Sequence, residues 1–193
     1  RSATCSRPET RPDGHAVATD MTSPPAADAA VRRARRLAGL VAVAVLLADQ
    51  VSKAFLIDLL AETPGGWIEV TGFFNLVMVW NRGVSFGMFG DGAMPPWVWI
   101  ALSVAIVVVL LLWIRRLDRL WTAVALGGIV GGAAGNVIDR LRFGAVADFF
   151  DLHLAGWHWP AFNIADAGIV VGVGMLLLDA LTTRETKGHH GRE

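Results

Sequence analysis

The sequence predicts a membrane protein of the all-α class, four transmembrane helices with a small extracytoplasmic β-sheet. Three observations predict it. The 193 residues are 54% apolar and only 18% charged, with a mean hydropathy of +0.50; an ordinary soluble domain holds roughly 45–50% apolar residues even with glycine counted. Four apolar stretches recur, about 37–56, 97–114, 120–138 and 164–181, each close to the roughly 20 residues that span about 30 Å of hydrocarbon. The eight tryptophans fall at the ends of these stretches or between them, never mid-span, as an interfacial belt requires. This composition excludes a disordered chain. Seventeen basic residues against seventeen acidic ones leave no net charge, so no field steers the protein to nucleic acid, and no nucleic-acid partner is expected. The single cysteine, Cys5, excludes an internal disulfide and a cysteine-based metal site.

The elements follow in chain order. Residues 1–30 hold Pro8, Pro12, Pro24 and Pro25 without apolar periodicity and read as a disordered tail. Met21 stands just ahead of the first basic cluster and is the expected physiological start; the tail does not read as a secretory signal. The membrane domain then covers 31–183. Arg32, Arg33, Arg35 and Arg36 precede the first span, Arg115, Arg116 and Arg119 link the second to the third, and Arg184 and Lys187 follow the last. The positive-inside rule therefore places both termini, and a tail at 184–193, in the cytoplasm. The first outer segment, about 62–92, contains a β-prone run from Trp67 to Trp80 broken by Gly72, which predicts two or three short strands resting on the bilayer. The second, 139–163, reads as a loop rich in charge and aromatics, whose Arg140 and Arg142 run against the positive-inside trend and so serve a local purpose.

Polar residues lie where the bilayer resists them. Asp49 and Lys53 share one face of the first span, about 18 and 24 Å from its cytoplasmic edge. The third span ends in Asn136, Asp139 and Arg140, and the fourth begins with Asn163 and Asp166, at the same depth. Ionised groups there cost roughly 2.5–3.5 kcal/mol each, so the cluster demands mutual pairing or water. Asp49 and Lys53 read first as an intrahelical ion pair, and Asn163 reads equally as a helix cap or a site residue. Asp166 is too costly to serve the helix dipole alone, which is worth about 0.3–1 kcal/mol. The glycines at 127, 131 and 135, and at 128 and 132, have small-xxx-small spacing for close helix packing. His153 and His158 show no ligand spacing, so neither a metal nor a cofactor is expected, and no serine-nucleophile motif is present. What remains is a set of carboxylates, Asp139, Asp148 and Asp166. Two of them brought together would share a proton and could act as base and acid at once, the chemistry of aspartic hydrolysis. The repeated Asn-x-x-Asp spacing by itself favours Asp139 with Asp166.

Five blocks carry a resemblance to a known family: Asp49-Gln-Val-Ser-Lys53, Asn81-Arg-Gly-Val-Ser-Phe-Gly87, Gly131 to Arg140, Gly144-Ala-Val-Ala-Asp148-Phe and Phe162-Asn-Ile-Ala-Asp166. In this order, over about 40–181, the chain resembles the bacterial lipoprotein signal peptidases, signal peptidase II. These are membrane aspartic peptidases that cut the signal peptide from diacylglyceryl-modified prolipoproteins on the N-terminal side of the lipidated cysteine. The resemblance implies a catalytic pair of Asp148 and Asp166, overruling the symmetry that favoured Asp139. It assigns Asp49, Lys53, Asn81 and Gly83 to the lining of the site. Asn136 and Asn163 then position the pair and substrate, and Asp139 with Arg140 becomes an ion-pair support. It further implies diacylglyceryl prolipoprotein substrates, contact with membrane lipid, an inner-membrane location with the site on the extracytoplasmic side, and no cofactor. Ala147, where the family commonly has valine, and the long segment before residue 31 depart from its pattern. A monomer is the expected state, which nothing in the residues fixes.

Two rivals belong to other classes. A small transporter or proton-relay protein would need acids along a path through the membrane, whereas the inner halves of the four spans are almost uncharged. A scaffold subunit would tolerate loss of either Asp148 or Asp166.

Overall fold

The computed structural model describes residues 25–83, 95–115 and 119–188. Four helices, α1 (Pro25–Glu62), α2 (Pro96–Ile114), α3 (Leu120–Phe143) and α4 (Ile164–Gly188), alternate with strands β1 (Trp67–Thr71), β2 (Phe74–Asn81), β3 (Val146–Leu154) and β4 (Trp157–His158). Each helix contains a stretch long and apolar enough to cross a membrane.

α3 is the buried member of the bundle, and the other helices pack around it. Its glycines dictate how. At Gly127 and Gly131 a Cβ would collide with the backbone of Ala38 and Ala42 on α1. At Gly128 and Gly132 it would meet the backbone of Gly168 and Ala165 on α4. One glycine row therefore admits α1 and the other admits α4, each close enough for backbone-to-backbone packing that lipid cannot replace. Gly172 on α4 repeats the device against Ala125. The outward faces stay apolar: Leu47, Val109 and Leu177 are 58%, 63% and 60% exposed, as lipid-facing side chains must be.

α3 stops at Gly144, whose φ of +72° lets its N–H cap the Arg140 carbonyl at 3.1 Å. The chain turns directly into β3. The third apolar stretch is thus helical to Phe143, past residue 138, and the segment 139–163 expected to be a loop contributes two strands. All strands form one antiparallel sheet in the order β1-β2-β3-β4, with Asn75 opposite Asp151 and Asn81 opposite Val146. The reason β3 does not read as a half-buried strand is that Val146, Ala147, Asp148 and Phe149 are buried in succession, which erases the period-2 signal. Phe149 packs with Leu56 and Leu60, so the sheet is seated on the C-terminal end of α1, with Ile68, Leu76 and Met78 against that core.

Two boundaries shift. α1 begins at Pro25, so residues 25–30 of the segment read as a tail are helical, and α4 carries 184–188 into the segment read as the other tail. Met21 and Cys5, the outer segment from 84 to 92 with the second half of the Asn81 block, Arg116 and residues 189–193 lie outside the described residues.

Candidate active site

The site is assembled from five elements at one end of the bundle. α1 brings Asp49, Gln50 and Lys53, β2 ends in Asn81 with Gly83 beyond it, α3 brings Asn136, Asp139 and Arg140, β3 brings Asp148, and the start of α4 brings Asn163 and Asp166.

Lys53 is its electrostatic centre. The ammonium lies 2.8 Å from a carboxylate oxygen of Asp49 and 2.8 Å from one of Asp139, and it donates to Asn136 Oδ1 at 3.2 Å. All three ions are essentially buried, with Lys53 3%, Asp49 0% and Asp139 1% exposed; such charges persist out of water only when paired and hydrogen-bonded. Gln50 Nε2 donates to both Asp49 and Asp139 at 3.2 Å. The remaining acceptor capacity holds backbone. Asp49 Oδ1 accepts from the Ala165 N–H at 2.9 Å, in the first turn of α4, and Asp139 Oδ2 accepts from the Ala147 N–H at 3.2 Å, at the start of β3. One buried ion triad therefore ties α1, α3, β3 and α4 together.

This corrects the expected Asp139–Arg140 strut. Asp139 supports the site, but its partner is Lys53. Arg140 instead donates to the carbonyls of Asn136 at 3.2 Å and Gly83 at 3.3 Å, tying α3 to the residue beyond β2. The expected Asp49–Lys53 pair is present within α1.

The other two carboxylates form a second group, joined to the triad through Asn136. Asn163 Nδ2 donates to Asp148 Oδ1 at 2.7 Å, while Asn163 Oδ1 accepts from the Asp166 N–H at 2.9 Å and the Asn163 N–H reaches Asp166 Oδ2 at 3.3 Å. Asn163 is thus both the cap of α4 and the joint between the two acids; the reciprocal pattern is that of a capping box. Asn81 Nδ2 donates to Asp148 Oδ2 at 3.0 Å, and Asn136 Nδ2 to Asp166 Oδ1 at 2.8 Å. Asp148 is 1% exposed. Burial pushes its carboxyl up to about 7, with the nearby Asp166 charge acting in the same direction, against the hydrogen bonds from Asn81 and Asn163 and the charge of Lys53. Asp166, half-buried, opens with Asn81, Asn136 and Arg140 onto a cavity of about 260 Å³ whose other walls are mostly apolar, from Leu102 and Ile106 on α2 to Ile129 on α3 and Ile169 on α4. The cavity thus has a polar end and mainly apolar walls.

Sequence reasoning missed Gln50, which bridges two acids; Ser103, which the sequence offers as a packing or hydrogen-bonding residue, lines the cavity. Gln50 could have been found as a polar residue inside an apolar span, beside Asp49. The histidines also have a local role: His158 Nδ1 lies 2.9 Å from Asp151, Asn75 donates to the same carboxylate at 3.0 Å, and His153 stacks on His158.

The model of the family described as signal peptidase (SPase) II matches residues 41–182. The chain belongs to the signal peptidase II family. The lipoprotein signal peptidase of Methylorubrum extorquens is 49% identical over 148 residues, which cover 74% of this chain and 85% of that relative. That of Caulobacter vibrioides is 40% identical over 158 residues, covering 81% and 94%. A solved bacterial membrane enzyme, determined by the in meso method, superposes with a TM-score of 0.70 at 29% identity, over 78% of this chain and 90% of that one. This signal peptidase II homologue is therefore a multi-pass membrane peptidase.

Proposed function

We propose that this chain removes signal peptides from diacylglyceryl-modified prolipoproteins, cutting on the N-terminal side of the lipidated cysteine, with Asp148 and Asp166 as its catalytic pair. The observation that carries the reading is the junction at Asn163, which donates to both carboxylates, to buried Asp148 through its side chain and through its backbone N–H to Asp166, the member that opens onto an apolar cavity. Two close carboxylates share one proton. Asp148, whose neutral form burial favours, holds that proton and polarises the scissile carbonyl; Asp166, facing the cavity, takes a proton from the attacking water. The acid then delivers its proton to the leaving amine. Asn81, Asn136 and Asn163 fix the two carboxylates by hydrogen bonds, Arg140 holds Gly83 at the cavity rim, and the Lys53 triad sets the geometry of all of them. No cofactor enters this mechanism.

The arginine-rich ends of the spans support an orientation with both termini in the cytoplasm and the site at the extracytoplasmic interface of the cell membrane. A substrate helix then lies against the spans while its acyl chains, worth roughly 0.8 kcal/mol per buried methylene, hold the scissile bond at the depth of the pair. The transporter reading is not favoured, since the buried acids gather at one end of the bundle rather than along a path. The test is to incubate purified protein in detergent with a diacylglyceryl-modified prolipoprotein and with its unlipidated precursor. Release of the signal peptide from the first and little from the second is expected; equal turnover of both would refute the lipid requirement, and no release from either would refute the activity.

A further inference from the structure

The opposite end of the bundle carries a second built feature. α1 extends beyond its apolar stretch, and Arg32, Arg33 and Arg36 line, with Leu37, Leu40 and Leu120, a groove of about 480 Å³ between α1 and the start of α3. The rotation of α1 here is set by Ala34 and Ala38, 0% and 1% exposed, which pack against α3 and turn the arginine face outwards. The arginines at this end are not equivalent. Arg35 is taken up by the Arg115 carbonyl and Arg119 pairs with Asp179 at 3.3 Å. Arg32, Arg33 and Arg36 are exposed, and among the described residues none of them makes a hydrogen bond or ion pair. Below them the same face of α1 continues as Leu40, Val43, Leu47 and Val51, between 54% and 69% exposed. From Leu40 to Val51 this lane is about 16 Å long, the depth of one leaflet of a hydrocarbon core about 30 Å thick.

We propose that this groove binds an anionic phospholipid of the adjacent leaflet, its phosphodiester held by Arg32, Arg33 and Arg36 and one acyl chain laid along the Leu40–Val51 lane. Three guanidiniums around one concavity match a phosphate's acceptor oxygens better than a diffuse basic surface does, because arginine presents paired donors in a fixed plane. The apolar floor at Leu37, Leu40 and Leu120 continues into the lane, so headgroup and chain are recognised by one surface. A membrane lipid satisfies both halves; inorganic phosphate satisfies only the first, and an acidic protein segment would not enter the bilayer along α1.

The proposal is independent of the catalytic reading. The full-chain protein is reconstituted in phosphatidylcholine vesicles containing a trace of spin-labelled phosphatidylglycerol or spin-labelled phosphatidylcholine, and the motionally restricted fraction of each label is measured. Selectivity for the anionic lipid is expected, falling about fivefold in Arg33→Gln and in Arg36→Gln, in line with the contribution of one basic side chain at a membrane surface. Arg33→Lys should keep most of it, and Arg115→Gln, which removes an equal charge at the same end outside the groove, should change it less than about twofold. Equal restriction of both labels in the wild type would overturn the proposal. So would an Arg115→Gln effect as large as that of Arg33→Gln, which would reduce the selectivity to general surface potential, or displacement of the label by inorganic phosphate alone. Thermal unfolding of each variant in the same vesicles verifies that the fold is retained, and Arg36→Gln serves if Arg33→Gln is not.

Discussion

Asp148→Asn should abolish cleavage while making the protein more stable above neutral pH. An aspartate ordinarily titrates at 3.8, whereas Asp148 in the folded protein is pushed up to about 7. The folded state therefore binds this proton more tightly than the unfolded state. The associated stability is fully present below 3.8 and is lost progressively as pH rises through about 7. About three units at roughly 1.4 kcal/mol each make that loss about 4 kcal/mol. Asparagine has no charge to desolvate and escapes it. Its single carbonyl can accept from only one of the two amides that now donate, Asn81 or Asn163, so one hydrogen bond of about 1 kcal/mol is forfeited. The variant should be more stable than the wild type by about 3 kcal/mol near pH 8, or about 6–12 °C in Tm for a chain of this size, and less stable by about 1 kcal/mol near pH 3. Tryptophan fluorescence on heating in detergent reads both values, and prolipoprotein cleavage is assayed on the same preparation. A variant that melts no higher than wild type near pH 8, or that cleaves within tenfold of it, would refute the reasoning.

Asp166→Asn should lower cleavage by about 10²–10⁴, the worth of general acid–base participation, without a lower Tm; near-normal turnover would remove Asp166 from the pair. Lys53→Met should destabilise by about 3–5 kcal/mol, because it strands Asp49 and Asp139 as buried charges, and adding Asp49→Asn and Asp139→Asn should restore much of the loss in the same melting assay. Asp139→Asn should lower Tm together with activity, since it leaves Lys53 half-paired and weakens the Ala147 anchor; a fully stable but inactive protein would return Asp139 to the catalytic pair. Gly131→Ala should cost about 1–3 kcal/mol by forcing α1 away from α3. Gly39→Ala, where nothing lies within 4 Å of the new methyl group, should instead stabilise the helix by about 0.8–1 kcal/mol.

The sequence by itself determined the four spans, because a bilayer demands length and apolarity and both are local properties of the chain. It also determined that α3 packs closely, since glycine at fourfold spacing has few other uses in lipid, and that Asp49 pairs with Lys53, since four residues on a helix place them on one face. The choice of partner for Asp139 was not local. Its neighbour Arg140 stands beside it in the chain but about 100° away around the helix, turned towards Gly83, while Lys53 reaches it from another helix. Nor could spacing rank the three acids: the two Asn-x-x-Asp repeats look alike in one dimension, yet Gly135 makes room for Asp49 against α3, and that buried network occupies Asp139 and leaves Asp148 to meet Asn163. The strand that carries Asp148 was hidden for a related reason. Both of its faces are covered where it leaves α3, so its alternation vanishes, and only the packing of the sheet on the end of α1 shows which way each side chain of β3 points. Helices in lipid are specified by what each segment is; the site is specified by which segments touch, and burial forces every charge there to find its partner across the fold.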